Sequence, residues 1–366
     1  MQSFEVPWGL WYERGTRTLR FPPDWEVHFC GLTHYAPLSK AQIQQKIDAP
    51  IGSQSMEKLL EGKRTVCILI DDISRATPGD VLLPILIQKL QSAGILLENI
   101  CVLIALGGHR PMTKKEMRWK VGDWVLNHVQ VLQHSPFAAD LVEIPSDRGR
   151  ICVNRTYMAS EFHTAVGSIV PHTLAGFSGG GKAVIPGIGS IDTLRDNHRL
   201  VFADTKQDMT FKNSTLDPDN PMRKNMEEIV GRIGLDFIVN GILNDQMKIA
   251  DLFAGHFIHA HRAACERAKT MLRTQLVPHA DICICSAYPK DTDYSQVASC
   301  YTVMGKFKKD CVAEDGTLVA MTAASEGAGY HALFGPGMAL SSPHDDNMPL
   351  AELKGKELLI FSDGVT

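Results

Sequence analysis

The chain has 366 residues, enough for two domains or one large one, each with its own core. With 37 basic and 41 acidic residues it carries a net charge of −4, and its 44% hydrophobic and 21% charged content is that of an ordinary soluble globular protein. There is no basic run to mark a nucleic-acid or anionic-membrane partner, and no apolar run reaches the ~20 residues that span a bilayer.

The opening "MQSFEVPWGLWYERG" lacks a basic start followed by an apolar stretch, so it is not read as a signal peptide. From Thr65 the pattern alternates between strand and helix. "TVCILI" (Thr65–Ile70) is apolar and partly β-branched, a buried parallel strand. Thr77, Pro78 and Asp80 then read as a helix start, followed by a Leu82, Leu86 and Leu90 stripe at spacing four. Pro84 falls inside that stripe and is expected to kink the helix or delay its start. "NICVLIALG" is the next strand, and Thr113 with Glu116 forms a capping box for the helix after it.

"AVGSIV" (Ala165–Val170) is a third strand, and "DFIVNGILNDQMKIADLFAG" reads as two strands around a turn at Asn244 and Asp245. Residues 256–272 are helical by composition. A second α/β unit begins near Pro278 with strands in "DICICSAYPKD", "GTLVAMTAASEGAG" and "KELLIFSDG". The chain stops soon after Phe361, which suggests a shortened relative or a truncated polypeptide. Nine cysteines without a C-x-x-C fit reduced thiols in a cytoplasmic protein, and Cys283 and Cys285 are expected on a buried strand, not at a metal.

Three polar stretches, "DDISRATP", "GGHRPMT" and "PHTLAGFSGGGK", each follow the carboxyl end of a predicted strand, the edge where open α/β sheets bind ligands. The third contains Gly176, Gly181 and Lys182 at the spacing of a phosphate-binding loop, but Ala183 replaces the magnesium-binding hydroxyl. Pro186, Gly187 and Gly189 would also end any helix begun at Lys182, which argues against the ordinary nucleotide-hydrolase reading and leaves magnesium-dependent phosphate release as its test. Gly179, Gly180 and Gly181 let the backbone take positive φ and approach a ligand, or they form a surface turn. Lys182 is then either a nucleophile or attachment point, or a solvated lysine.

Of fourteen histidines, His109 and His172 follow strand ends, where they could form an acid/base pair, and a third such as His198 could ligate a metal. Arg75 would be the cation for a substrate carboxylate or a developing oxyanion. Asp71 and Asp72 could orient a histidine, bind a ribose hydroxyl, or cap the loop.

Together these residues resemble the lactate racemase family, the nickel-pincer nucleotide enzymes. The resemblance rests on "DDISRATP", "ALGGHRPMT", "HTLAGFSGGGKAVIPGIGS" with "DNH", and "YPKDTDY", in the family's order and spacing; similarity extends over nearly all of the chain from residue 40. It implies two α/β domains with mainly parallel sheets, expected over residues 1–272 and 273–366, and a cleft between them. By position, Lys182 would be covalently tethered to nickel pyridinium-3,5-bisthiocarboxylic acid mononucleotide. Asp72, Ser178, Gly179, Gly180 and Gly181 would contact this cofactor, and His198 would ligate its nickel. His109 and His172 would be the acid/base residues on opposite substrate faces, Arg75 a catalytic and substrate-binding residue, and Tyr294 a second substrate-binding residue.

The implied activity is racemisation or epimerisation at C2 of a small-molecule 2-hydroxy acid by proton-coupled hydride transfer. Cofactor-biosynthesis proteins would be maturation partners; no nucleic acid or membrane is implied. Two positions depart from the family pattern: Gly181 stands where lactate racemase has an arginine, and Ala298 where a lysine helps hold the substrate carboxylate. The family's C-terminal tail is also missing after Thr366. The expected substrate is therefore a larger or differently anchored hydroxy acid, such as a sugar acid, and not lactate. The rival reading is a non-catalytic, cofactor-carrying relative that has lost substrate anchoring.

Overall fold

Buried aliphatic strands build the frame of the chain, whose structure is a computed structural model describing residues 1–13, 15–146, 149–172, 174–202, 220–297, 300, 309–334, 338, 340 and 356–364. The chain divides into two units, Thr33–Arg273 and Met1–Leu32 with Thr274–Thr366.

The larger unit is a doubly wound sheet in the order Ile249–Gly255, Phe237–Leu243, Phe162–Ser168, Val66–Asp71, Ile100–Ala105, Gln130–Gln133. All neighbours are parallel except the first pair, the hairpin turning at Asn244 and Asp245. The central strands Val66–Asp71 and Ile100–Ala105, covered on both faces, are almost wholly apolar: Ile68, Leu69, Ile70, Val102, Leu103 and Ile104 are fully buried. The chain moves from Val66–Asp71 to one side of the sheet and returns to its other side at Phe162–Ser168. The loops at these carboxyl ends therefore diverge, which opens the crevice where such sheets bind ligands.

The helix Gly79–Ser92 buries Leu82, Leu86 and Leu90 as the spacing predicts. Pro84 lies inside the helix and does not delay its start past Gly79, because the buried apolar stripe outweighs one missing backbone bond. Thr77 caps nothing: the N-cap of the helix is Pro78, with no side-chain cap, and the Thr77 hydroxyl donates to Asp71 Oδ2 at 2.6 Å. The Thr113–Glu116 capping box is present in full at the start of the helix Lys114–Val121. Among the described residues no helix is long and apolar enough to cross a membrane.

The smaller unit centres on three parallel strands, Ala280–Ser286, Val312–Thr322 and Glu357–Ser362, with the second in the middle. The hairpin of Gln2–Trp8 and Gly15–Phe21 belongs here and not, as the sequence suggested, to the first domain. Its aromatic and charged residues explain why: Trp8 packs on Phe361 at 5.7 Å, Trp8 Nε1 donates to Asp363 at 3.0 Å, and the Gly9 N–H donates to Asp291 at 2.9 Å. Cys283 and Cys285 lie on the expected strand with their sulfurs 3.9 Å apart, but that strand is only half-buried, with Ile282 and Ile284 exposed.

Candidate active site

The first loop turns on a carboxylate. Asp72 is buried and accepts the Ser74 N–H at 2.8 Å on Oδ1, which also takes the Ser74 hydroxyl. Arg75 Nη1 donates to Ser74 Oγ at 2.9 Å. The second loop brings His109 to the same carboxylate, Nδ1 against Asp72 Oδ2, with Ser74 Oγ 3.2 Å from the ring nitrogen. Burial pushes the Asp72 carboxyl up, but His109, Arg75 and Ser74 outweigh it and hold the group well below the usual carboxylate range. An ionised Asp72 keeps the His109 proton on Nδ1 and its lone pair on Nε2. Of the partners left open for Asp72, the one it meets here is a histidine, His109.

His172 lies in a short ladder in which Pro171 and His172 pair with Phe177 and Gly176. Its Nδ1 accepts the N–H groups of Leu174 and Ala175, each at 3.2 Å, so its proton resides on Nε2. The two histidines are thus set as opposite tautomers.

The glycine loop is shaped from inside the protein. Arg223, buried on the helix Pro221–Ile233, donates to the carbonyls of Ala175 (3.3 and 3.1 Å), Gly179 (3.3 Å) and Phe177. His261 Nε2 donates to Ser178 O at 2.9 Å, and the Gly180 N–H donates to Asn240 Oδ1 at 2.9 Å. Burial lowers the Arg223 pKa to about 10, which still leaves it charged at neutral pH. The Ser178 hydroxyl is committed to closing the loop, donating to Ser168 O at 2.5 Å and accepting the Val170 N–H at 2.9 Å.

Gly179 and Gly180 have φ of +79° and +59°, and a Cβ on either would strike Ile169 and Asn240, or the His261 ring. They are glycines because the loop packs against the protein. Gly181 does not take the positive φ expected of it, and a Cβ there would meet Val230 Cγ2 at 3.2 Å. Lys182, half-buried, sits in a single 3-10 turn, Gly180–Ala183. The N–H groups of Ser178, Gly180 and Lys182 are bonded to Val170, Asn240 and Gly179, so they do not form a phosphate cradle.

His198 is buried on the helix Ile191–Phe202, and its Nδ1 donates to Leu194 O at 2.7 Å. Burial lowers its pKa to about 4, and the charges of Lys182 and His109 act in the same direction. It is a neutral imidazole with the lone pair on Nε2, the form that ligates a transition metal. The Gly107 N–H donates to Gly187 O at 2.9 Å, tying the His109 loop to the segment after Lys182. His134 Nε2 donates to Gly189 O at 2.8 Å, closing the same segment further on.

Hydrogen bonds therefore join Asp72, Ser74, Arg75 and His109, and electrostatics couple His198 to Lys182 and His109. Tyr294 belongs to the smaller unit, where its N–H donates to Gly327 O at 2.9 Å. Ala298 lies outside the described residues. Sequence reading missed Lys120, Arg223, Asn240 and the role of His261; a lysine and a glutamate at spacing four, both buried in the helix Lys114–Val121, were the visible hint for the first.

A doubly wound α/β unit with histidines, an arginine and a lysine converging at its strand ends defines a class of small-molecule enzyme scaffolds. Comparison narrows the class: the family model of the lactate racemase N-terminal domain matches residues 12–210, and the chain belongs to the lactate racemase family. The lactate racemase of Lactiplantibacillus plantarum is 31% identical over 312 residues, 82% of this chain and 71% of that protein. That of Thermoanaerobacterium thermosaccharolyticum is 29% identical over 287 residues, 77% of this chain and 65% of its own length. The apoprotein structure of lactate racemase from T. thermosaccharolyticum superposes with a TM-score of 0.75 at 23% identity, covering 99% of this chain and 88% of that one. A Thermotoga maritima protein superposes at 0.57 and 22% identity, covering 78% and 72%. These two superpositions speak to fold alone.

Proposed function

We propose that this protein is a cytoplasmic 2-hydroxyacid racemase or epimerase that uses a nickel-pincer nucleotide tethered to Lys182. The observation that carries the reading is the pair of opposed tautomers, His109 with an Nε2 lone pair and His172 with an Nε2 proton. Inverting a carbon requires a proton to be removed on one side and supplied on the other, and these two rings are preset for it.

The residues fit the cofactor. His198 offers a neutral nitrogen donor, Lys182 is its electrostatic neighbour, and the loop bearing Lys182 is held rigid by Arg223, His261 and Asn240. When bound, the nickel-pincer nucleotide supplies reversible hydride acceptance at the substrate's C2. Arg75 would grip the substrate carboxylate, His109 Nε2 would take the hydroxyl proton, and the His172 Nε2–H would face the oxygen on the other side. Asp72 stabilises the imidazolium formed on His109. Tyr294 is proposed as a second substrate contact.

Ala298 brings no cation to a position where the family has a lysine, and at Gly181, where lactate racemase has an arginine, a Cβ would meet Val230 Cγ2 at 3.2 Å. A hydroxy acid larger than lactate, such as a sugar acid, is therefore the proposed substrate class.

Co-expression with the cofactor-making proteins, followed by intact mass and nickel analysis of wild type and Lys182→Ala, tests the reading. A nucleotide-sized mass gain with nickel that is absent from the variant supports it. An unmodified wild-type chain, while a known relative is loaded in parallel, overturns it. Loading without turnover of any hydroxy acid would favour a cofactor-carrying relative.

A further inference from the structure

We propose that Lys120 is a positioning residue for the His109 group, acting as the buried counter-charge of Asp71. This deepens the reading above and rests on His109 being the proton carrier. Lys120 is fully buried in the last turn of the helix Lys114–Val121. Its Nζ donates to Asp71 Oδ1 at 2.5 Å and to the backbone carbonyl of Arg75 at 2.7 Å. The other Asp71 oxygen takes the Thr77 hydroxyl at 2.6 Å, and Thr77 Oγ1 lies 2.9 Å from Ser168 Oγ.

Two consecutive carboxylates at a sheet edge would repel one another and compete for the same cations. Lys120 neutralises the first, which leaves the second, Asp72, to His109, Ser74 and Arg75. The geometry is economical. The helix that begins at the Thr113 cap, just after the His109 loop, also delivers Lys120 to the Asp71–Arg75 loop, so one element fixes both loops. Burial lowers the Lys120 pKa, with Asp71 and Asp72 opposing.

The charged and titratable groups around His109 are Asp72 and Arg75 on the first loop, with Asp71 and Lys120 behind them. Arg110, paired with Glu116, lies on its own loop, and His198 and Lys182 lie across the site.

The test reads the full-length protein without cofactor, so it does not depend on loading or turnover, and the Lys182→Ala comparison decides the racemase reading separately. The protein is prepared with 13C-labelled histidine, and the His109 signal is assigned by its loss in His109→Gln. Its titration midpoint is then compared in wild type, D71N, K120M and the double variant. D71N leaves the ammonium uncompensated, so the midpoint should fall by roughly half to one pH unit. K120M leaves the carboxylate uncompensated and should raise it by a similar amount, and the double variant should return to within about 0.2 unit of wild type. If K120M does not fold, D71N and the double variant decide. A folded D71N with an unmoved midpoint, or single variants that shift in the same direction, would overturn the proposal.

Discussion

Arg223 holds Ala175 twice: Nε and Nη2 of the guanidinium donate to the same carbonyl at 3.3 and 3.1 Å, across 48 residues of sequence. With the bonds to Phe177 and Gly179, this one side chain sets the path of the backbone leading to Lys182. Arg223→Met should leave these carbonyls buried without donors and cost about 2–4 kcal/mol, read as a lower urea midpoint. Arg223→Lys should recover part of the loss. A midpoint unchanged in the methionine variant would mean the loop holds itself.

Gly180→Ala tests the same loop from the other side. At φ +59° the new Cβ would lie 2.9 Å from the His261 ring, and the expected cost is roughly 1–3 kcal/mol, measured as a drop in Tm. Gly179→Ala, with contacts of 2.6 Å to Ile169 and 2.7 Å to Asn240, should be the more damaging of the two.

Stability should fall in mild acid. His134 is buried and neutral: its Nε2 donates to Gly189 O, and its Nδ1 lies 3.3 Å from Asn154 Nδ2. Burial lowers its pKa to about 4, whereas the unfolded chain protonates near the ordinary 6.5. The unfolded state therefore binds the proton first. The contribution is full above pH 6.5 and is lost as pH falls from there towards 4, on the order of 3 kcal/mol at the lower end. Urea midpoints measured across that range should decline less steeply in His134→Gln than in wild type; equal slopes would refute the assignment.

Asp72→Asn should keep the fold and lose the tautomer. Asparagine can no longer fix the proton on His109 Nδ1 or stabilise the imidazolium. Once a substrate is known, kcat should drop by roughly 10²–10⁴ with little change in KM. A change confined to KM would place Asp72 in binding alone.

The elements were legible where a single segment decides its own fate. The runs "VCILI" and "CVLIA" are strands because apolar, β-branched chain buried on both faces has no better option, and the Thr113–Glu116 box carries its own hydrogen bonds. Thr77 looked like a cap because threonine before proline usually is one, but the end of the neighbouring strand offered its hydroxyl a carboxylate. The loops that follow these strand ends, bearing Asp72 and His109, were legible in the same local way. Long-range polar contacts were not: Lys120 to Asp71 spans 49 residues and His134 to Gly189 spans 55, and no periodicity encodes such distances. Gly179 and Gly180 were correctly singled out as special, but the reason is the wall of Ile169, Asn240 and His261 behind them, which only the fold supplies.

The placement of Met1–Leu32 with Thr274–Thr366 has a consequence for biosynthesis. The ribosome makes the hairpin before Thr33–Arg273, but the residues that receive Trp8 and Gly9, namely Asp291, Phe361 and Asp363, are made only after it. The central Thr33–Arg273 unit can complete its sheet during translation, while the hairpin waits for Trp8's contacts until Phe361 and Asp363 have been made. A chain interrupted between Arg273 and Phe361 would thus leave a complete Thr33–Arg273 unit with an aromatic hairpin that lacks Phe361 and Asp363, the kind of exposed surface that chaperones recognise.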